Sequence, residues 1–274
     1  MLKKIFDFYV FSNIHVGIAA FCFTKISLLM VENQSNVIPF WLFFATVVAY
    51  NFIRIVDVDL LSTNQINSWL IGNISLLIYT TYTAIIGLII LSFFVEFKAL
   101  ILLIILGFVT VLYVLPFLKN NNKTFYIREI PYVKIIFVVT IWTIVTVVIP
   151  IKSINFSTNS NEINYYIIIR FLLYLVLILP FEIRDVFTDD KSLKTLPQYI
   201  GIFNTKIFGL ILLVFIALVN IYIIKKEVNS TNLILIITAI FIVFSSVKQS
   251  KYYSAFGVES IPVLWLLLIL FFYN

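Results

Sequence analysis

The chain leaves the apolar run YYIIIRFLLYLVLIL at Pro180 and at once sets down Glu182, Asp185, Asp189 and Asp190 in the string PFEIRDVFTDDKSL. At roughly 100° per residue, Glu182, Asp185 and Asp189 (i, i+3, i+7) share one helical face, and Asp190 points away to solvent. Stacked carboxylates repel: at ~4 Å and an effective dielectric of about 20, each close pair costs about 4 kcal/mol. Something positive must offset that. With no His or Cys nearby, the donor set suits a hard cation, and Mg²⁺ takes one or two carboxylates together with substrate phosphates. The alternative is an exposed loop at the membrane edge, its acids balanced by Arg184, Lys191 and Lys194. A second polar segment, YNFIRIVDVD at 50–59, closes another apolar run.

The elements that must carry these acids lie in lipid. Of 274 residues, 62% are hydrophobic and 12% charged, and the mean hydropathy is +1.09. A water-soluble domain of this length cannot hide so much apolar surface. With 28 Phe, 15 Tyr and only 7 Gly, and without alternating ten-residue segments, the chain reads as packed helices and not a membrane barrel. The fold class expected is all-α and polytopic. Cys22 stands alone, which excludes an internal disulfide. A single His15 argues against a His-based zinc site. The net charge of +6 needs no nucleic-acid partner, because basic residues outside the bilayer set topology.

A span needs roughly 20 apolar residues. That criterion finds nine runs, near 10–31, 37–56, 74–95, 97–118, 132–151, 163–181, 202–224, 232–247 and 258–273. The first has Lys3 and Lys4 before it but no small-residue cleavage site, and reads as a retained span. No linker divides the chain, so residues 1–274 read as one transmembrane domain. Nine spans place 13 basic residues on the side of the N-terminus and four on the other. The positive-inside rule makes the first side cytoplasmic, and both polar segments with it. An AT-rich residue usage points to a bacterial inner membrane.

The longer string FEIRDVFTDDKSLKTLPQYIG resembles the second aspartate-rich motif of the UbiA family of intramembrane prenyltransferases. In that pattern an Asn/Asp-x-x-Asp-x-x-x-Asp run leads to a basic residue and then Thr-Leu-Pro. Glu182, Asp185 and Asp189 match the acids, Lys194 the base, and TLPQYIG the tail. LYVLPFLK with REIPYVKIIFVVTIWTIVTVVIP is similar to the family's fourth-span exit and fifth span, and takes in Tyr113, Lys119, Arg128 and Lys134. KYYSAFGVESIPVLWLLLI is similar to the start of its final span. The family's first motif, Asn-x-x-x-Asp-x-x-x-Asp, aligns at Asn51 and Asp59, but Ile55 stands where the middle acid belongs. Asp57 is out of register, and Arg54 adds a cation that the pattern does not ask for.

The resemblance implies a bundle of about nine helices around a central cavity open to the cytoplasm. It implies Mg²⁺ held by Asn51, Asp59, Glu182, Asp185 and Asp189, with Asp185, Asp189 and Asp59 as the catalytic carboxylates. Asn51, Tyr113, Lys119, Arg128 and Lys194 would contact substrate, and Arg54 would supply to it charge that a metal supplies elsewhere. The implied reaction moves a prenyl group from a prenyl diphosphate to a small, often aromatic acceptor. Ile55 favours a second reading, a relative without transfer activity that binds isoprenoid diphosphate or partners another membrane protein. A transporter using Glu182 and Asp185 fits less well, since transport sites lie near the midplane. Arg54 also has a plain reading, an ion pair with Asp57 at i+3. His15 reads as a helix-packing hydrogen-bond partner. Lys25 and Arg170 read as snorkelling to the far interface. The bases at 119–128 could equally hold anionic headgroups.

Overall fold

Lipid offers no partner to backbone N–H and C=O groups, so apolar runs of this length close their hydrogen bonds internally as helices. The computed structural model describes residues 2–57, 65–116, 118–120, 123–154, 160–224 and 228–273. Helix α1 (Leu2–Phe11) meets α2 (Ile14–Met30) at a 55° bend. The break falls at Asn13, whose φ of 62° is left-handed, a conformation that Asn tolerates better than most residues. Next come α3 (Val37–Asp57), the short α4 (Gln65–Gly72), α5 (Ile74–Ser92) and α6 (Phe97–Val114). A small antiparallel hairpin follows, β1 (Leu118–Asn120) with β2 (Lys123–Phe125), in which Lys119 faces Thr124. Among the described residues this hairpin is the one departure from an otherwise all-helical fold, and NNN at 120–122 is turn-favouring composition.

Helix α7 (Val133–Thr143) runs through a π turn at Ile144–Val148 into α8 (Ile149–Lys152). Pro150 explains the widened turn, because its ring crowds the carbonyl four residues back and it has no N–H to donate. Then follow α9 (Ser160–Asp185), α10 (Leu196–Ile200), α11 (Ile202–Val219), α12 (Val228–Phe244) and α13 (Ile261–Tyr273). Each of the nine apolar runs falls on a helix. Among the described residues, seven helices are long and apolar enough to cross a membrane, eight if the bent α1–α2 pair is one span. The difference from nine lies in α12, whose 17 residues rise about 26 Å, short of a typical hydrocarbon core.

The largest core lies between α2, α9, α11, α12 and α13, around Phe23, Ile26, Leu173, Val176, Ile216 and Ile261. A second cluster joins α3, α6 and α8 through Trp41, Leu42, Leu106 and Ile149. Phe108, Ile211 and Phe271 face outward, as residues against lipid do. Several threonines inside the bundle turn back on their own helix. Thr46, Thr143 and Thr238 each donate to the carbonyl four residues earlier.

Candidate functional site

Helix α9 ends at Asp185, not beyond Asp189. The amides of Thr188 and Asp189 both turn back to the Asp185 carbonyl, so Asp189 reaches the acidic cluster through a turn and not along a helical face. The tail TLPQYIG fixes that turn. Gln198 accepts from the Thr195 amide and donates to the carbonyls of Val186 and Asp189. Gly201, with φ of 83°, opens α11 in a conformation that side chains resist. The exposed Asp190 accepts from the Ser192 amide, which lowers its carboxyl pKa.

The positive charge that the acids require comes from Lys134, in the first turn of α7. Its Nζ lies 3.2 Å from Glu182 Oε1 and 2.5 Å from Asp189 Oδ2. Lys134 is held there by the loop before it: the Tyr132 amide donates to the Leu193 carbonyl, and the Tyr132 ring meets Tyr199 edge-on. Arg184 clasps both oxygens of Asp185 at 2.7 Å. Glu182 is 2% exposed, and its Oε2 is buried without a hydrogen-bond partner. The partners expected from the loop, Lys191 and Lys194, are exposed.

Below this cluster lies a cavity of about 280 Å³. Lys134, Glu182, Arg184, Asp185 and Glu259 supply its charged lining, and Phe23, Tyr50, Trp142, Tyr174 and Phe181 its aromatic walls. A second cavity of about 440 Å³, almost wholly apolar, lies between α3, α5, α6 and α7. Tyr50 and Trp142 border both spaces, and Trp142 Nε1 donates to the Tyr50 hydroxyl at 2.8 Å.

The α3 segment is used differently. Asn51 is fully buried, its Oδ1 accepting from Asn13 at 2.7 Å and its Nδ2 donating to Thr80 at 3.4 Å. It ties α3 to the bend before α2 and to α5, and is not in the cavity lining. Tyr50 and Arg54, at i and i+4, share the adjoining helical face. Arg54 Nη1 donates to the Phe11 carbonyl. Asp59 lies outside the described residues, and Lys119 is placed by its backbone in β1. Tyr113 is stacked on Phe137 at 4.0 Å and is not among the residues lining the cavity, though Lys134, Glu182 and Asp189 act on it. Arg128 lies over the Tyr126 ring.

Three charged residues that the motifs did not single out as site residues stand in the cavity wall: Lys134, Arg184 and Glu259. A charge in the first turn of an apolar span is the signal that marks Lys134 and Glu259. Arg170 departs from its expectation. It is 5% exposed and lies over Trp265 at 4.6 Å and Phe23 at 5.2 Å, because these aromatic faces hold the guanidinium inside the bundle before it can reach an interface. His15 fits its expectation, bonded to Tyr9 and to the Phe256 carbonyl. Lys25 reaches out of α2 to the carbonyls of Gln34 and Ser35.

Among the described residues, no three His, Cys, Asp or Glu side chains converge as a metal site, so a protein cage for Mg²⁺ does not fit. A metal drawing its remaining ligands from substrate oxygens needs only one or two carboxylates. The donor chemistry fits that requirement, since Glu182 Oε2 is buried and unpartnered and Asp185 lines the cavity. No family model, curated protein or solved structure matches the chain. The likeness to UbiA prenyltransferases therefore rests on its residues alone.

Proposed function

We propose that this chain is an intramembrane prenyltransferase that carries the prenyl group of an isoprenoid diphosphate to a small, often aromatic acceptor. Its charged end would face the cytoplasm of a bacterium. The observation that carries the reading is one cavity in which the FEIRD segment of α9 and Lys134 sit above aromatic walls. An amphiphile with an anionic head and a hydrocarbon body has complementary surfaces at both ends of that space.

Lys134 and Arg184 give the head positive partners, and guanidinium binds phosphate oxygens in bidentate fashion. Arg54, on the same face of α3 as Tyr50, adds a third charge. Lys119, Arg128 and Lys194 are the bases outside the bundle that a diphosphate approaching from the cytoplasm would meet. Glu182 and Asp185 would hold Mg²⁺ together with substrate oxygens, and Asp189, Asn51 and Asp59 join that set only through the family resemblance. Bound Mg²⁺ supplies neutralisation of the charge that gathers on a departing diphosphate. Phe23, Tyr50, Trp142, Tyr174 and Phe181 keep water from the reacting carbon and turn π faces toward a cationic prenyl fragment.

A second reading, diphosphate binding without transfer, is favoured by one feature. Lys134 and Arg184 already neutralise the carboxylates that would otherwise recruit metal. Pyrophosphate release from a panel of prenyl diphosphates and aromatic acceptors separates the two. Transfer predicts release that depends on Mg²⁺ and falls on the order of 10²-fold in Asp185→Asn. Tight diphosphate binding with no release in any pairing would favour the second reading.

A further inference from the structure

Glu259 opens the last apolar run, in the turn Val258–Ser260 just ahead of α13. It lines the cavity, and its Oε2 is buried without a hydrogen-bond partner. Among the described residues it makes no ion pair. Two cations act on it, Arg54 and Arg184, and both are engaged elsewhere, with the Phe11 carbonyl and with Asp185. A carboxylate oxygen left unpaired in an apolar space is costly. The Tyr50 hydroxyl, on the same cavity, accepts from Trp142, and its own O–H makes no bond to Glu259 Oε2.

The distribution of charge around the cavity separates two kinds of ligand. Lys134 and Arg184 lie on the α7–α9 side and suit an anion. Glu259 lies on the α13 side with no donor bonded to it among the described residues, and its carboxyl offers a phosphate no positive charge. What it can accept is an O–H or N–H.

We propose that Glu259 binds the protic group of the acceptor, so that the cavity takes acceptors carrying a hydroxyl or amine on an apolar body in preference to their ethers or hydrocarbons. The word acceptor rests on the transfer reading; the preference for a hydrogen-bond donor does not. Satisfying a buried oxygen that otherwise has no partner is worth roughly tenfold in affinity.

The test is calorimetric titration of the detergent-solubilised full chain with 4-propylphenol and with 4-propylanisole. The wild type should bind the phenol at least about tenfold more tightly, and Glu259→Leu should bind the two alike. Glu259→Gln, which keeps the shape, should reduce the preference. Equal affinities in the wild type, a comparison that needs no variant, would overturn the proposal, as would a preference that persists in Glu259→Leu. Farnesyl diphosphate titrated in parallel should bind wild type and Glu259→Leu equally. Loss of its binding in Glu259→Leu would overturn the division of the cavity into two sides. A phenol preference with no farnesyl diphosphate binding to the wild type supports the protic site while removing the transfer reading.

Discussion

The C-terminal end of α9 and that of α3 both end an apolar run on polar residues, yet they use those residues for opposite purposes. At α9 the polar groups face inward on a cavity. Glu182 and Asp185 line it, Lys134 and Arg184 compensate them, and Gln198 braces the turn behind. At α3 the buried amide of Asn51 is spent on Asn13 and Thr80, and Arg54 reaches the Phe11 carbonyl. The difference is one of helical register. Tyr50 stands on the cavity and Asn51, one position later, stands on the contact with α2 and α5. A motif aligned by spacing says nothing of which face the bundle turns inward.

The strongest way to break this contrast is at Lys134. Glu182 is 2% exposed, so Lys134→Ala leaves a buried carboxylate uncompensated and should cost about 3–5 kcal/mol of stability. Thermal unfolding in detergent measures it, and Lys134→Met with Glu182→Leu should restore most of the loss, since an apolar pair can replace a buried ion pair nearly neutrally. Asn51→Ala should cost less, about 1–3 kcal/mol, by orphaning the Asn13 amide. Its diphosphate affinity sharpens the comparison: unchanged affinity keeps α3 structural, whereas abolished affinity brings Asn51 into the site. Arg54 is the exception offered to the head by the proposed function, so Arg54→Ala should weaken prenyl diphosphate binding roughly tenfold; an untouched dissociation constant would leave it, like Asn51, structural.

The smallest effect lies at the loop before the last span. Tyr252 donates to Asp7, which pushes its phenol up to about 12. A raised phenol pKa stabilises the fold fully below the unfolded value near 10, and the contribution is lost as pH rises through about 12. In ¹³Cζ-tyrosine spectra, the signal that disappears in Tyr252→Phe should therefore titrate later than an exposed tyrosine.

The apolar runs located the helices because lipid forces backbone closure wherever such a run occurs. The bend at Asn13 is not legible, since hydropathy does not register a left-handed residue; the shortness of α12 is, because its apolar run at 232–247 is already below the length of a full span. The string at 181–201 disclosed the acids, but their partner came from 48 to 55 residues away in sequence, as Lys134 with Glu182 and Asp189. Packing of α7 on α9 makes that pairing, and no local pattern encodes it. Glu259 is not legible as a site residue, because a single acid at the head of an apolar run resembles ordinary interfacial charge. Its unbonded oxygen is visible only in three dimensions.

The most direct test is photolabelling with a farnesyl diphosphate analogue bearing a benzophenone in its tail, followed by mass-spectrometric mapping. The account predicts label on α2, α7 and α9 near Phe23, Trp142 and Phe181, competed away by farnesyl diphosphate and reduced in Lys134→Met. Label confined to outward-facing positions such as Phe108 and Ile211, or indifferent to competitor, would contradict it.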